Sequence, residues 1–258
     1  MRRPPSPNLA RSTLVRLILV TLLIVLSYDF LHPLLPFPSF SSLFSSSSSR
    51  STAATAAAKQ DLFTRVLKEA KKALDISGVA FHIHSGTALG AIRSGQFIDY
   101  DEDIDIGIFQ SDYQRKMVAF LSKQGFTLRE QYGRPEFGLE LSFIHRATGV
   151  KMDAFLVYNE TIKGRPMYWV SSFNGRCSNR KYKMCRWSYR PYIPHQVTLN
   201  GIVVNTAPES ALEDSYGPTW SIPKKFGYFE GIEQGLYFNL IEEEGEYHSM
   251  WTLWRAPV

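Results

Sequence analysis

Cysteine is scarce in this sequence: Cys177 and Cys185 are the only two among 258 residues. That scarcity excludes a disulfide-knit scaffold, and a zinc site would need two further ligands, of which only His195 lies near. Seven residues separate the pair, a loop short enough for a bridge in an oxidising compartment. Two partly buried thiols are the alternative. Internal repeats are also lacking. Long apolar runs are too: the strongest, LILVTLLIVL over residues 17–26, falls short of the roughly 20 residues that a spanning helix needs.

Acidic residues are nearly missing from the first 58 positions, where Asp29 stands alone against Arg2, Arg3, Arg11, Arg16 and Arg50. Those arginines carry most of the formal net charge of +5, so the rest of the chain is close to neutral and no nucleic-acid partner is expected. Weaker apolar character continues to Leu35, and no small-residue cleavage site follows the run. Residues 14–34 therefore read as an uncleaved transmembrane signal anchor behind a cytosolic tail of residues 1–13, oriented by the arginines before it. Residues 35–58 are serine- and alanine-rich, too poor in large apolar groups to pack a core, and read as a stem. The resulting expectation is a single-pass type II membrane protein whose folded part, residues 59–258, is lumenal. An organelle transit peptide is the competing reading. Asn159, in Asn159-Glu160-Thr161, is a possible N-glycosylation site, expected in a surface loop just after a strand.

Within the folded part, apolar residues at three- and four-residue spacing predict a helix over 59–76. Alternation predicts a strand over 79–85, a short helix over 86–93 begins at a glycine turn, and a strand is predicted over 104–109. Ser111 and Gln114 make a capping-box pattern for a helix to about residue 124. Strands are predicted over 126–132, 139–145 and 151–158, and a short helix over 208–216. Helices interleaved with strands in this order imply an α/β (α+β) fold, a mixed sheet flanked by helices.

The chemistry concentrates in HSGTALGAIRSGQFIDYDEDIDIGIF. Alternation places Asp103 and Asp105 on one face of a strand with Cα atoms about 7 Å apart, where two carboxylates can share a hard cation. Asp153 lies in the apolar run VKMDAFL, where an isolated acid needs a compensating partner such as a metal. Gly86 allows close backbone approach, and the N–H groups at the start of the following helix can hold a phosphate. The basic cluster Arg176, Arg180, Lys181, Lys183, Arg186 and Arg190 offers a receiver for an anionic donor or glycan; the structural alternatives are a solvated loop for that cluster, solvated loop charge for residues 99–105, and core histidines for His82 and His84.

At these residues the chain resembles the LicD family of nucleotidyltransferase-fold phosphotransferases. The resemblance lies in the helix motif Gly86-Thr87-Ala88-Leu89-Gly90-Ala91-Ile92-Arg93 and the acidic strand Tyr100-Asp101-Glu102-Asp103-Ile104-Asp105. It extends from about Val79 to Lys225 and is strongest with fukutin-like members, through Leu139 to Phe143, Lys151-Met152-Asp153, and Tyr216 to Pro223. Relatives commonly carry Pro-Trp where this chain has Asp99-Tyr100. The resemblance implies a nucleotidyltransferase-like fold and transfer of a polyol phosphate or phosphocholine-like group from a CDP-linked donor to a glycan hydroxyl. It further implies Mg²⁺ or Mn²⁺ held by Asp103, Asp105 and Asp153, with Asp153 also the base for the acceptor hydroxyl. Gly86, Thr87, Arg93 and Asp101 become donor-binding or supporting residues, and residence in the Golgi, or the endoplasmic reticulum, is expected. The competing functions are a glycosyltransferase using the same acid pair and a catalytically silent glycan-binding protein.

Overall fold

The computed structural model describes residues 40–172 and 185–242. The expected anchor, Cys177 and most of the basic cluster lie outside them. Among the described residues, no helix is long and apolar enough to cross a membrane. The chain divides into two units, Met1–Ala57 and Ala58–Val258, and the second holds the site.

Helix α1 (Phe40–Ser77) begins well before the predicted residue 59. Its buried stripe, Phe63, Val66, Leu67, Ala70, Ala73 and Leu74, follows the helical period, while Leu62, which the pattern also included, faces solvent. Gly78, with φ +70°, ends the helix in the left-handed conformation that glycine adopts at low cost.

Next come β1 (His82–Ile83), α2 (Ser85–Ser94), β2 (Asp103–Phe109), a 3-10 turn at Gln110–Asp112, α3 (Met117–Lys123), β3 (Phe126–Arg134), β4 (Phe137–His145) and β5 (Lys151–Ile162). They are followed by β6 (Arg165–Ser172), β7 (Cys185–Tyr189), β8 (His195–Leu199), β9 (Ile202–Thr206), α4 (Glu209–Tyr216), α5 (Tyr228–Glu233) and β10 (Leu240–Glu242). The strands form one mixed sheet in the order β10-β7-β6-β5-β2-β1-β9-β8, with the β3–β4 hairpin joined to β5. The mixed α/β layout with flanking helices is the expected one.

β2 and β5 run parallel, with Asp103 opposite Lys151 and Asp105 opposite Asp153. Ile104, Ile106 and Ile108 of β2 and Met152, Ala154 and Leu156 of β5 then point into one core with the buried stripe of α1. Phe155 and Val157 on the other face join Val170, Trp187 and Tyr189 in a second, aromatic core. The acids of β2 and β5 share this second face by strand alternation.

Several expectations need correction. The strand predicted over 79–85 shortens to two paired residues because Ser85, at φ 45°, turns the chain into α2. The helix predicted from Ser111 is broken: Tyr113 is extended, and helix restarts only at Met117, so no capping box forms. Asn159 is exposed but sits inside β5, opposite Tyr168 of β6, because the strand outruns its predicted end at residue 158. Cys185 is buried and disulfide-bonded.

Gly90 fixes how α2 meets the chain that follows. A Cβ there would lie 2.5 Å from the Gln96 carbonyl oxygen and 3.2 Å from the Ile98 nitrogen. Alanine would gain about 1 kcal/mol of helix propensity, but overlap with backbone costs about 1–3 kcal/mol or more. Gly90→Ala is therefore expected to destabilise the fold by about 1 kcal/mol or more, read as a lowered denaturant midpoint; a raised midpoint would contradict this packing.

Candidate functional site

Asp103, Asp105 and Asp153 each present a carboxylate oxygen, all within 4.8 Å of one another. The parallel register of β2 and β5 produces this convergence, and neighbouring elements hold it. The buried Thr87 hydroxyl accepts the Asp105 backbone N–H at 2.9 Å, and the Asp105 carbonyl accepts the His84 N–H at 3.0 Å. Thr87 thus ties α2 to β2 and does not line the cleft. Asp153, 4 % exposed, accepts from the Ser142 hydroxyl at 2.7 Å and the Lys151 ammonium at 2.6 Å. Lys151 also reaches Asp103 at 3.3 Å.

Negative charge exceeds its compensation. Two carboxylates 4.8 Å apart repel by about 3.5 kcal/mol at an effective dielectric of about 20. Burial pushes the Asp105 carboxyl well above the usual carboxylate range, and the charges of Asp103, Asp101 and Asp153 add to this. Asp101 is raised to about 7, by burial first and by Asp103 second. Burial also raises Asp153, against the opposing pull of Lys151. For Lys151 burial works against the ammonium, but the charges of Asp153 and Asp103 outweigh it and hold its pKa above the ordinary lysine value. A set of oxygen donors with a single ammonium among several acids fits a hard divalent cation.

Gly86 stands in the first turn of α2, and a Cβ on it would lie 2.6 Å from an Asp101 carboxylate oxygen, so glycine lets the Asp101 side chain rest against the helix start as it does here. Ser85 before it holds a positive φ, backbone strain of the kind that gathers at functional sites. Lys59 of α1 donates to the carbonyls of Ile98, Asp99 and Asp101, which fixes the loop carrying Asp101. Arg93, partly buried on α2, lines the same cleft of about 1710 Å³ as Ser85, Gly86, Asp101 and the three acids.

The structure thus brings together Gly86, Arg93, Asp101, Asp103, Asp105 and Asp153. The histidines stand apart: His82 meets the Tyr192 hydroxyl at 3.0 Å, and both rings are buried among aromatics. They also explain Gly107, where a Cβ would be 2.6 Å from His82 Nε2. Arg186 lies over the Trp169 ring and pairs with Glu160, and Arg190 binds Glu213 and Asp214, each at 2.7 Å, so neither is a free anion receptor. Sequence reasoning passed over the place of Lys151 in the site, although it sits two residues before Asp153 and so shares its face. Ser142 and Lys59 carried no local signal, since only strand register and helix docking bring them in.

This is a mixed α/β domain with a carboxylate-lined cleft beside a glycine-initiated helix. Residues 78–195 match the family described as LicD/FKTN/FKRP, nucleotidyltransferase domain, and this segment of the chain is similar to that family. It is 32% identical over 162 residues to the ribitol-5-phosphate transferase FKTN of Homo sapiens and 33% identical over the same length to that of Mus musculus. Each alignment covers 62% of this chain and 33% of the relative. An uncharacterized protein of Caenorhabditis elegans is 25% identical over 143 residues, covering 54% of this chain and 36% of that protein. The chain spans about a third of the length of the curated relatives it matches.

Because burial holds the Asp105 and Asp153 carboxyls above the ordinary aspartate value of 3.8 in the fold, the fold binds protons that the unfolded chain has released. Without cation, these groups make stability fall as pH rises from about 4 through their folded-state values. A cation replaces those protons, so the thermal shift produced by Mg²⁺ or Mn²⁺ is expected to be larger at pH 8 than at pH 5. Asp105→Asn is expected to raise the cation-free melting temperature and to abolish the shift. An equal shift at both pH values, or one that survives the substitution, would remove the cation from this cluster.

Proposed function

We propose that this protein is a metal-dependent phosphotransferase that moves a polyol phosphate, such as ribitol phosphate, or a phosphocholine-like group from a CDP-linked donor to a glycan hydroxyl. The observation that carries the reading is the convergence of three strand-borne carboxylates next to the glycine-started helix α2. The similarity to the ribitol-5-phosphate transferases FKTN supports the choice of transferred group. Residues 14–34 anchor the chain in a Golgi or endoplasmic reticulum membrane, with the catalytic unit lumenal, in the same reading.

Asp103, Asp105 and Asp153 would hold Mg²⁺ or Mn²⁺. The ion, when bound, neutralises charge on the donor pyrophosphate and strengthens its phosphorus as an electrophile. The protein's part is mainly placement and charge balance. N–H groups at the start of α2 and the Arg93 guanidinium face the donor phosphates. Lys151 stands beside the transferred phosphate and balances the acids. The acceptor oxygen forms a P–O bond to the phosphorus bearing the polyol or choline, the bridging P–O bond to the nucleotide breaks, and CMP leaves. The hydroxyl proton passes to the Asp153 carboxylate and then to water.

Incubating the full chain with CDP-, UDP- and GDP-linked donors, candidate glycans and Mn²⁺, and weighing the released nucleotide, tests this reading. CMP from a CDP donor is expected, stopped by EDTA and reduced by at least about a thousandfold, roughly 4 kcal/mol, in Asp105→Asn. Release of a nucleoside diphosphate would establish sugar transfer in its place. Absence of both turnover and a cation-dependent thermal shift with nucleotide would favour a silent glycan-binding protein, whereas the shift without turnover would point to a missing acceptor.

A further inference from the structure

The cleft of about 1710 Å³ exceeds the roughly 300–1,000 Å³ of a site for one small molecule. Its acidic part lies over β2 and β5, and another part, over β6 and β7, is lined by aromatic side chains. Tyr237 is the centre of that wall, with ring centroids 4.8 Å from Trp187, 5.5 Å from Phe226 and 6.0 Å from Tyr216. Glycines make the room: a Cβ on Gly231 would overlap the Tyr237 ring, and one on Gly217, at φ +76°, would lie 2.7 Å from Phe238. This segment falls beyond residues 78–195, the part that matches the family.

The wall is amphipathic, with one charge at its edge, Lys224, whose ammonium lies 6.0 Å from the centroid of the Phe226 ring. Every side chain that residues 226–238 contribute to the cleft is neutral. The Tyr216 and Tyr237 hydroxyls make no hydrogen bond among the described residues. Burial raises both phenols above the ordinary tyrosine range, with smaller contributions from neighbouring tyrosines and from Asp105 and Asp101, so both stay protonated and able to donate. Phe229 and Phe238, 49% and 68% exposed, carry the aromatic surface to the cleft mouth.

We infer that this wall is a binding site for a neutral oligosaccharide, the acceptor of the transfer proposed above. The inference rests on that reading for the word acceptor only. A sugar ring offers an apolar C–H face to an aromatic side chain and a rim of hydroxyls to the free tyrosine hydroxyls, the mixed contact that tyrosine suits. Lys224 is the one cation beside this wall among the described lining residues, and the continuation of the wall to exposed rings at the mouth suits a chain of sugars better than one nucleobase or a free phosphate.

Saturation-transfer NMR on the full chain tests the assignment, with xylotetraose, chitotetraose and N-acetyllactosamine as sugar probes and CMP plus Mg²⁺ as the nucleotide probe. At least one sugar is expected to bind wild type. Phe238→Ser and Phe229→Ser, at exposed positions and checked by melting temperature, are expected to weaken that sugar about tenfold while leaving CMP binding unchanged. Tyr237→Phe, which keeps the ring and loses the hydroxyl, is expected to weaken it too. Failure of every sugar to bind would overturn the inference, and so would loss of CMP in the two phenylalanine variants, which would make the wall a nucleobase site. Sugar binding without cleavage of any CDP donor would keep the oligosaccharide site and discard the phosphotransfer reading. Donor cleavage with no sugar bound would do the reverse.

Discussion

The parallel pairing of β2 with β5, Asp105 opposite Asp153, is the constraint on which the rest of the molecule depends. Side chains alternate along both strands, so one register decides two things together. It sends three isoleucines of β2 and three apolar residues of β5 into the core with α1, and it raises the acids on the other face. A slip of one residue in either strand would turn its acids into the apolar core, away from Lys151 and from one another, and its apolar row toward the cleft. Burying a charge without a partner costs several kcal/mol, comparable to much of a domain's net stability, so the core enforces the geometry of the site.

The acid cluster then sets a second requirement. Fixed carboxylates this close work against folding, and the cation-free chain offsets them only in part, through Lys151 and the Ser142 hydroxyl. Lys59 acts at a distance, since it bonds the carbonyls of the loop and leaves the Asp101 side chain free to lie against Gly86. Stability given up at a cluster of this kind is recovered in cation or substrate binding, because whatever neutralises the acids binds the folded state alone. The same arrangement favours an electrophilic phosphate over a neutral ligand in this part of the cleft.

The amount of this that could be read from the sequence follows how local each signal is. The buried stripe of α1, the alternation of β2 and the lone acid of β5 are patterns within one element, and they placed the helix face and all three carboxylates. Ser142 meets Asp153 only because β4 pairs with β5, and Lys59 meets the Asp101 loop only because α1 packs beside it. Neither event leaves a trace in its own segment. Strands β6 and β7 were missed for a related reason. Val170 and Trp187 pack toward the aromatic core while Trp169, the neighbour of Val170, joins the main core, so apolar residues on both faces erase the alternation that marks a strand. The capping-box pattern at Ser111 misled because Tyr113 turns extended and packs against the main core, a tertiary preference that outweighs a cap contributing about 1 kcal/mol.

The division of the cleft also bears on how the chain relates to its longer relatives. The segment that matches the family carries Gly86, Arg93 and all three acids, the groups that would act on a pyrophosphate. The aromatic wall comes largely from residues beyond it, on α5 and the turn that follows, and is held by Gly217 and Gly231. A change in the wall can alter what lies along it without moving β2 against β5, because Ile104, Met152 and their neighbours hold those strands through the main core, whereas Tyr237 packs with Trp187 in the second. Shared chemistry can therefore be kept while the surface facing the second substrate diverges, and an identity of about a third over the aligned region is what such a division allows.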